Sequence, residues 1–158
     1  MSEFLPKDSD LSELIESLLG REPKVTGGAL PDSEVAVVAS YVDREGSLEC
    51  LVVTDIALGA YLGAALALVP KGGAQDCVDE GALSSNLKEN FHEVLNIMAS
   101  LFNTTEGSRH VRLSEVHYGP ADQASDGARG LSQAPGERAD FEVVVENYGT
   151  GKLAVLVA

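Results

Sequence analysis

Apolar positions follow helical spacing in some stretches of the chain and strand spacing in others. Near the amino terminus they recur every three or four residues, which predicts an amphipathic helix over 11–18 that ends at Gly20. Apolar, β-branched runs at 34–41 and 48–53 flank a short polar turn and therefore predict a β-hairpin. The intervening segment, 21–31, contains Pro and Gly and is interpreted as a connection.

The segment 56–69 is apolar on nearly all sides, so it predicts a helix that is buried. Gly59 and Gly63 lie four residues apart and therefore on one face of this helix, where they permit the close approach of another backbone. The glycines that follow, Gly72 and Gly73, are predicted to end the helix.

A longer helix is predicted from Ser84 or Ser85, either of which can cap it, to about Asn103. It is strongly amphipathic, because one face collects most of its large apolar side chains. These are Leu87, Phe91, Val94, Leu95, Met98, Leu101 and Phe102.

The last third of the chain is predicted to contain strands at 109–118, 141–145 and 153–157, the last two forming a hairpin. The segment 119–140 is poor in large apolar residues and is predicted to be a flexible loop. Strand pairs joined by tight turns favour antiparallel pairing. The sequence thus predicts a single α+β domain spanning 1–158, a two-layer sandwich of an antiparallel β-sheet with helices packed on one face.

Charge and composition narrow the classes of partner. The chain has 11 Lys and Arg residues against 25 Asp and Glu, a net charge of −14, which disfavours nucleic acid and anionic membrane surfaces. Its longest apolar run, 56–69, is shorter than the roughly 18 residues that a membrane-spanning helix needs. Cys50 and Cys77 do not form a CxxC pair, so neither a metal site nor a disulfide framework is predicted. A cytoplasmic location is predicted from these features and from the absence of a signal-peptide pattern at the amino terminus.

A polar stripe lies on the long helix opposite its apolar face. On a helical wheel Glu89, Glu93, Asn96 and Ser100 fall within about 60° of one another, and Ile97 lies beside Asn96. Such a stripe is usually solvated surface. An acyl phosphate, however, is already activated, and an amide that orients one water for in-line attack can suffice to hydrolyse it. A neighbouring carboxylate can fix the register of a partner by pairing with a lysine.

The stretch ENFHEVLNIMASLF, with Glu93 and Asn96 three residues apart, resembles the ExxN helix of the CheC/CheX/FliY phosphatase superfamily. The layout of the whole chain is similar to that of CheX-like proteins: an amphipathic helix, a strand hairpin, an Ala-rich helix, the ExxN helix, and strands that end in a hairpin. Only the short ExxN stretch is specific to the superfamily. The resemblance implies a CheC/CheX-like fold.

The resemblance also implies a function, namely hydrolysis of the aspartyl phosphate on a CheY-type response regulator in bacterial chemotaxis or two-component signalling. Asn96 would orient the attacking water, and Glu93 would pair with a lysine of the regulator. The Mg²⁺ at such a site belongs to the regulator, so the chain needs no cofactor or metal of its own. The resemblance further implies one site per chain and homodimers formed through sheet edges.

Two positions depart from the superfamily pattern. Glu89 stands where Asp or Ser is usual, and Ser100 stands where Gly is usual; both, with Ile97, are candidate partner-binding residues. A glycine would allow close approach of a partner backbone, which a serine partly blocks. Three hypotheses therefore remain open: a phosphatase, a binding module that docks a receiver or a motor-type assembly without hydrolysis, and a scaffold whose outer helix face has no function.

Overall fold

A computed structural model describes residues 5–103 and 110–158 of the chain. Within these ranges it contains five α-helices and six β-strands. The helices are α1 (Asp8–Leu19), α2 (Ile56–Leu66), α3 (Lys71–Glu80), α4 (Ser85–Met98) and α5 (Asp126–Gln133). The strands are β1 (Lys24–Gly27), β2 (Val37–Val42), β3 (Leu48–Thr54), β4 (Arg112–Tyr118), β5 (Glu137–Val145) and β6 (Gly149–Val157). No helix in the described ranges combines the length and apolar character needed to cross a bilayer.

The six strands form one sheet in the order β1-β5-β6-β3-β2-β4, and each neighbouring pair is antiparallel. The predicted hairpins are both present, as β2–β3 and β5–β6, and they occupy the centre of the sheet. Side chains alternate between the two sheet faces along each strand. One face packs against α1–α4 in a continuous apolar core. The predicted α+β class and antiparallel sheet are therefore confirmed.

The apolar helix α2 lies directly on the sheet. Asp55 caps it: one carboxylate oxygen accepts a hydrogen bond from the Leu58 amide at 2.8 Å, and the other accepts one from the Lys152 amide of β6 at 3.1 Å. Gly151 of β6 faces the first turn of α2, where an added Cβ would lie 2.5 Å from the Leu58 Cβ. The helix start is thus fixed to the middle of the sheet.

The two glycines of α2 face α4, as their spacing predicted. A Cβ added at Gly63 would lie 2.9 Å from the Leu87 carbonyl oxygen, and one added at Gly59 would lie 3.3 Å from the Phe91 ring. The backbones of α2 and α4 can approach closely because no side chain separates them here. As a result α4 is held against a buried helix that is itself fixed to the sheet.

The segment 119–140 is not the loop that the sequence predicted. It contains a 3₁₀ turn (Ala121–Gln123), helix α5 and the first residues of β5. Ala128 of α5 is buried on the sheet face opposite α1–α4, in a second, smaller core. The other buried members of that core are Leu30, Val35, Val38, Leu51, Val53, Ala154 and Leu156. A short helix suffices here because most of the apolar side chains that it covers come from the sheet.

Other element boundaries also differ from the sequence predictions. The connection 21–31 contains the short edge strand β1, and Gly72 and Gly73 lie inside α3, which begins directly after Pro70. Proline is tolerated at the start of a helix but not in its interior, because it has no amide hydrogen. Pro70 therefore precedes α3 and separates it from α2. Of the predicted strand 109–118, residue 109 lies outside the described residues, and β4 begins only at Arg112.

An ion pair on β5 binds the backbone of Leu30, a residue of the smaller core that precedes β2. The guanidinium of Arg138 donates to both carboxylate oxygens of Asp140, at 2.8 and 3.0 Å, and to the Leu30 carbonyl at 2.9 Å. The Asp140 carboxylate also accepts from the Leu30 amide at 2.9 Å. Burial raises the pKa of Asp140, but these hydrogen bonds outweigh it and hold that pKa below its usual value.

Asp140→Asn should lower the free energy of unfolding at neutral pH by about 1–3 kcal/mol, because it weakens two hydrogen bonds to a half-buried cation. Since the folded-state pKa of Asp140 is depressed, its contribution is present above the unfolded pKa and is lost as the pH falls through the folded one. Urea unfolding between pH 7 and pH 3 should therefore show a flatter acid limb for the variant. Asp126→Asn, in an exposed pair with Arg129, is the matched control. Equal acid limbs for Asp140→Asn and wild type would contradict the assignment.

Candidate functional site

The predicted site residues lie on α4. The helix begins at Ser84, whose hydroxyl accepts a hydrogen bond from the Leu87 amide at 3.2 Å, as in a standard amino-terminal cap. Five apolar side chains of its inner face are buried: Leu87, Phe91, Val94, Leu95 and Met98. The opposite face therefore points away from the core.

Glu93 and Asn96 are both exposed, and they lie one turn apart on this uninterrupted helix. Within residues 5–103 and 110–158, neither side chain has a hydrogen-bond or ion-pair partner. The carboxylate can thus receive a cation, and the amide keeps both its donors and its acceptor available. The exposure and the shared helix are what the sequence predicted for this pair.

The three candidate partner-binding residues are placed differently from one another. Glu89 is exposed one turn before Glu93, as predicted. Ile97 is half-buried, so only part of its side chain is available to a partner. Ser100 is exposed but does not belong to α4, because the helix ends at Met98 and tightens into a 3₁₀ turn, Ala99–Phe102. The helical segment does reach Phe102, close to the predicted end at about Asn103, but its last turn is 3₁₀ and not α.

Ser100 borders a groove that the sequence did not reveal. The groove has a volume of about 410 Å³ and lies between α1 and the 3₁₀ turn, lined by Asp10, Glu13, Leu14, Ser100 and Leu101. Its two carboxylates come from a helix far away in the sequence, and only the tertiary fold brings them beside the end of α4. The groove adds negative charge and apolar surface to the end of the Glu93–Asn96 face.

The carboxyl-terminal end of α4 is anchored from the sheet. The hydroxyl of Tyr41 on β2, a fully buried side chain, donates a hydrogen bond to the Leu95 carbonyl at 2.6 Å. Its ring contacts that of Phe102 in the 3₁₀ turn, with the centroids 5.4 Å apart. Burial, with a smaller contribution from nearby Cys50, raises the pKa of Tyr41 well above its usual value, so the hydroxyl stays protonated and can donate. No sequence pattern marked Tyr41 as part of the site.

The first turns of α4 are held by β4. The Tyr118 hydroxyl donates to the Lys88 carbonyl at 3.2 Å, and the Lys88 ammonium lies 5.1 Å from the centroid of the Tyr118 ring. Contacts of β4 near the start of the helix and of β2 near its end leave little freedom for the exposed face between them. The geometry is therefore that of a helix anchored near both ends, whose exposed carboxylate and amide have no partner among residues 5–103 and 110–158.

No protein-family model matches the chain, and no curated protein sequence matches it. Several solved structures, however, do match the chain. A chain of the FliM–SpeE complex from H. pylori superposes with a TM-score of 0.68 at 8% identity, over 95% of this chain and 80% of that one. FliY from Thermotoga maritima superposes with a TM-score of 0.57 at 17% identity, over 94% of this chain and 82% of FliY. A chain of the CheX–CheY–BeF₃–Mg²⁺ complex from Borrelia burgdorferi superposes with a TM-score of 0.53 at 13% identity, over 94% of this chain and 93% of that one.

Identities this low establish the fold and not the activity. The chain has the CheC/CheX/FliY-type fold, as the resemblance implied, and the similarity extends over nearly all of its length. The structures that share it include CheX in complex with CheY, and FliM in complex with FliG or SpeE.

Proposed function

We propose that this protein is a CheX-like phosphatase that hydrolyses the aspartyl phosphate of a CheY-type receiver domain. The observation that carries the proposal is the exposed pair of Glu93 and Asn96 on one continuous helix, with no partner for either side chain in the part of the chain that the structure describes. This pair occupies the positions that the ExxN resemblance assigns to the reaction, on a chain whose fold matches a CheX that was solved with CheY, BeF₃ and Mg²⁺. Such a function implies a cytoplasmic location.

Asn96 would orient the water that attacks the phosphorus. Its amide oxygen accepts a hydrogen bond from the water, and its neutral side chain does not repel the phosphoryl group. The water oxygen forms a bond to phosphorus as the bond from phosphorus to the aspartyl oxygen breaks. The aspartate leaves with that electron pair, and the proton released by the water ends on inorganic phosphate. Positioning of this kind removes much of the entropic cost of the reaction.

Glu93 would set the register between the two proteins by pairing with a lysine of the receiver. The divalent cation would be held by the receiver and would neutralise the phosphoryl oxygens, so the chain itself supplies only the carboxylate and the amide. Glu89, Ile97 and Ser100 would surround this pair as partner contacts. The pairing of two copies through sheet edges would use β1 or β4, the outer strands, and stays a prediction.

A second function is a protein-binding module that docks a receiver without hydrolysing its phosphate. Two observations favour it. The superposition on the FliM-complex chain has a higher TM-score than that on the CheX-complex chain, 0.68 against 0.53. Ser100 also keeps a side chain at the position where the superfamily pattern has glycine.

One experiment separates the two functions. Purified CheY-type receivers of the host are phosphorylated with acetyl phosphate in Mg²⁺, and the loss of acyl phosphate is timed with and without this protein. A shortened half-life supports the phosphatase, whereas binding with an unchanged half-life supports the binding module. Failure to bind any receiver would overturn both.

Glu93→Gln should weaken binding to the phosphorylated receiver about tenfold, because it removes one charge-assisted hydrogen bond of roughly 1.4 kcal/mol. Affinity should be measured by calorimetry at two salt concentrations, since an ion pair also makes wild-type binding more sensitive to salt. Glu146→Gln changes a similarly exposed carboxylate that lies on no part of α4 and serves as the matched control. Equal affinities for Glu93→Gln and wild type would contradict the proposed pairing of Glu93 with a lysine.

A further inference from the structure

The hydrogen bond from Tyr41 meets α4 at the residue directly before Asn96. The Tyr41 hydroxyl lies 2.6 Å from the Leu95 carbonyl oxygen, and the Tyr41 side chain is 0% exposed. In a continuing α-helix the Leu95 carbonyl would accept from the amide of Ala99, four residues on. That amide instead donates to the carbonyls of Asn96 and Ile97. The tyrosine hydroxyl thus supplies a donor to a carbonyl at the point where the helix tightens.

Tyr41 is itself set at an irregular point of the sheet. The register of β2 with β4 shifts between Ser40 and Tyr41, and its register with β3 shifts between Tyr41 and Val42. Irregularities of this kind redirect a side chain relative to a regular strand. Because β2 is paired on both sides, the phenol is held by the sheet, and its ring also packs against Phe102 beyond the end of α4.

We propose that Tyr41 is a positioning residue for Asn96, fixing through the Leu95 carbonyl the place where α4 passes into the 3₁₀ turn and hence the direction of the Asn96 amide. This inference rests on the proposed phosphatase function. Tyr41 does not touch the substrate in this scheme. It limits the freedom of the backbone that carries Asn96, and a displacement of about 1 Å at such a group is enough to slow a positioned reaction strongly.

The chain offers a matched control for this bond. Tyr148 also donates its hydroxyl to a main-chain carbonyl at 2.6 Å, that of Val69 after α2. Tyr41→Phe and Tyr148→Phe therefore remove the same chemical group from equally short bonds, one at the end of α4 and one in the connection between α2 and α3, and only the first adjoins the candidate site. A general loss of stability would affect activity in both variants.

The test uses steady-state hydrolysis of a phosphorylated receiver together with amide hydrogen exchange. Tyr41→Phe should lower kcat about tenfold with KM within twofold of wild type, because Glu93, the charged docking contact, is unchanged. It should also speed amide exchange at residues 99–102 and shift the side-chain amide resonances of Asn96. Tyr148→Phe should leave kcat and these signals unchanged.

Several outcomes would overturn the inference. One is wild-type kcat and exchange in Tyr41→Phe, and another is an equal fall of kcat in both variants. A rise in KM alone would also do so, since it would assign Tyr41 to docking.

In wild-type protein the Tyr41 hydroxyl proton should give a slowly exchanging NMR signal. Absence of that signal would show, with no variant needed, that the hydrogen bond is not formed. If wild type has no phosphatase activity the proposed function fails, and the exchange and Asn96 signals still show whether Tyr41 orders this helix end.

Discussion

Asn96→Ala should abolish most of the acceleration of acyl-phosphate hydrolysis, lowering kcat about a hundredfold, while affinity for the phosphorylated receiver stays within about twofold of wild type. Loss of the amide leaves the attacking water without an orienting partner, and orientation of this kind contributes factors of this size. Affinity is expected to persist because the charged contact comes from Glu93. Because Asn96 is exposed, its truncation removes no buried contact and should leave the free energy of unfolding unchanged.

The measurement is the decay of a phosphorylated receiver under single-turnover conditions, with binding measured in parallel. Asn86→Ala is the matched control, because Asn86 is an exposed asparagine in the first turn of the same helix. Hydrolysis by Asn96→Ala at the wild-type rate would contradict the assigned chemistry. Equal losses in both asparagine variants would mean that the effect comes from the helix as a whole.

Phe91→Ala should lower the free energy of unfolding by about 3–5 kcal/mol, a large part of the stability of a domain of this size. Phe91 is completely buried on the inner face of α4, and its ring packs over Gly59 of α2 at a point where the two backbones are close. Truncation would leave a cavity between two helices. Their close approach limits how far they can collapse to fill it, so the full cost of a buried phenylalanine is expected.

Urea unfolding followed by circular dichroism measures this change. His92→Ala is the matched control, because His92 is the exposed next residue of the same helix and should change the free energy of unfolding by less than about 0.5 kcal/mol. A loss below about 1 kcal/mol for Phe91→Ala would be inconsistent with the packing of α4 against α2. Receiver binding by the variant should weaken in proportion to its unfolded fraction, because Phe91 does not reach the exposed face.

The elements predicted most accurately are those with strong local periodicity. The hairpins β2–β3 and β5–β6 and the helices α2 and α4 were predicted from apolar spacing and turn residues, as was the close approach at Gly59 and Gly63. The same periodicity predicted that Glu93 and Asn96 point away from the core. A helix with one apolar face must bury that face, which fixes the direction of the other.

Three elements were missed, and each depends on contacts distant in sequence. Strand β1 has four residues with one half-buried side chain, and it forms because β5 offers a free edge. Helix α3 contains two glycines but buries Ala74 and Cys77 against the main core. Helix α5 has only a short apolar face, Ala128 and Leu131, and it packs this face on the smaller core. Local propensity is weak in all three elements, so tertiary packing decides whether they form.

The sequence by itself determined which residues face solvent on α4, because periodicity and amphipathicity are properties of a single helix. Only the tertiary structure decided where that helix ends and what holds it there. Tyr41 lies 54 positions before the Leu95 carbonyl that it contacts, and Asp10 and Glu13 come from the first helix to the groove beside Ser100. A hydrogen bond between distant segments leaves no periodic trace in the sequence, since it depends on the register of the sheet and on the packing of whole elements.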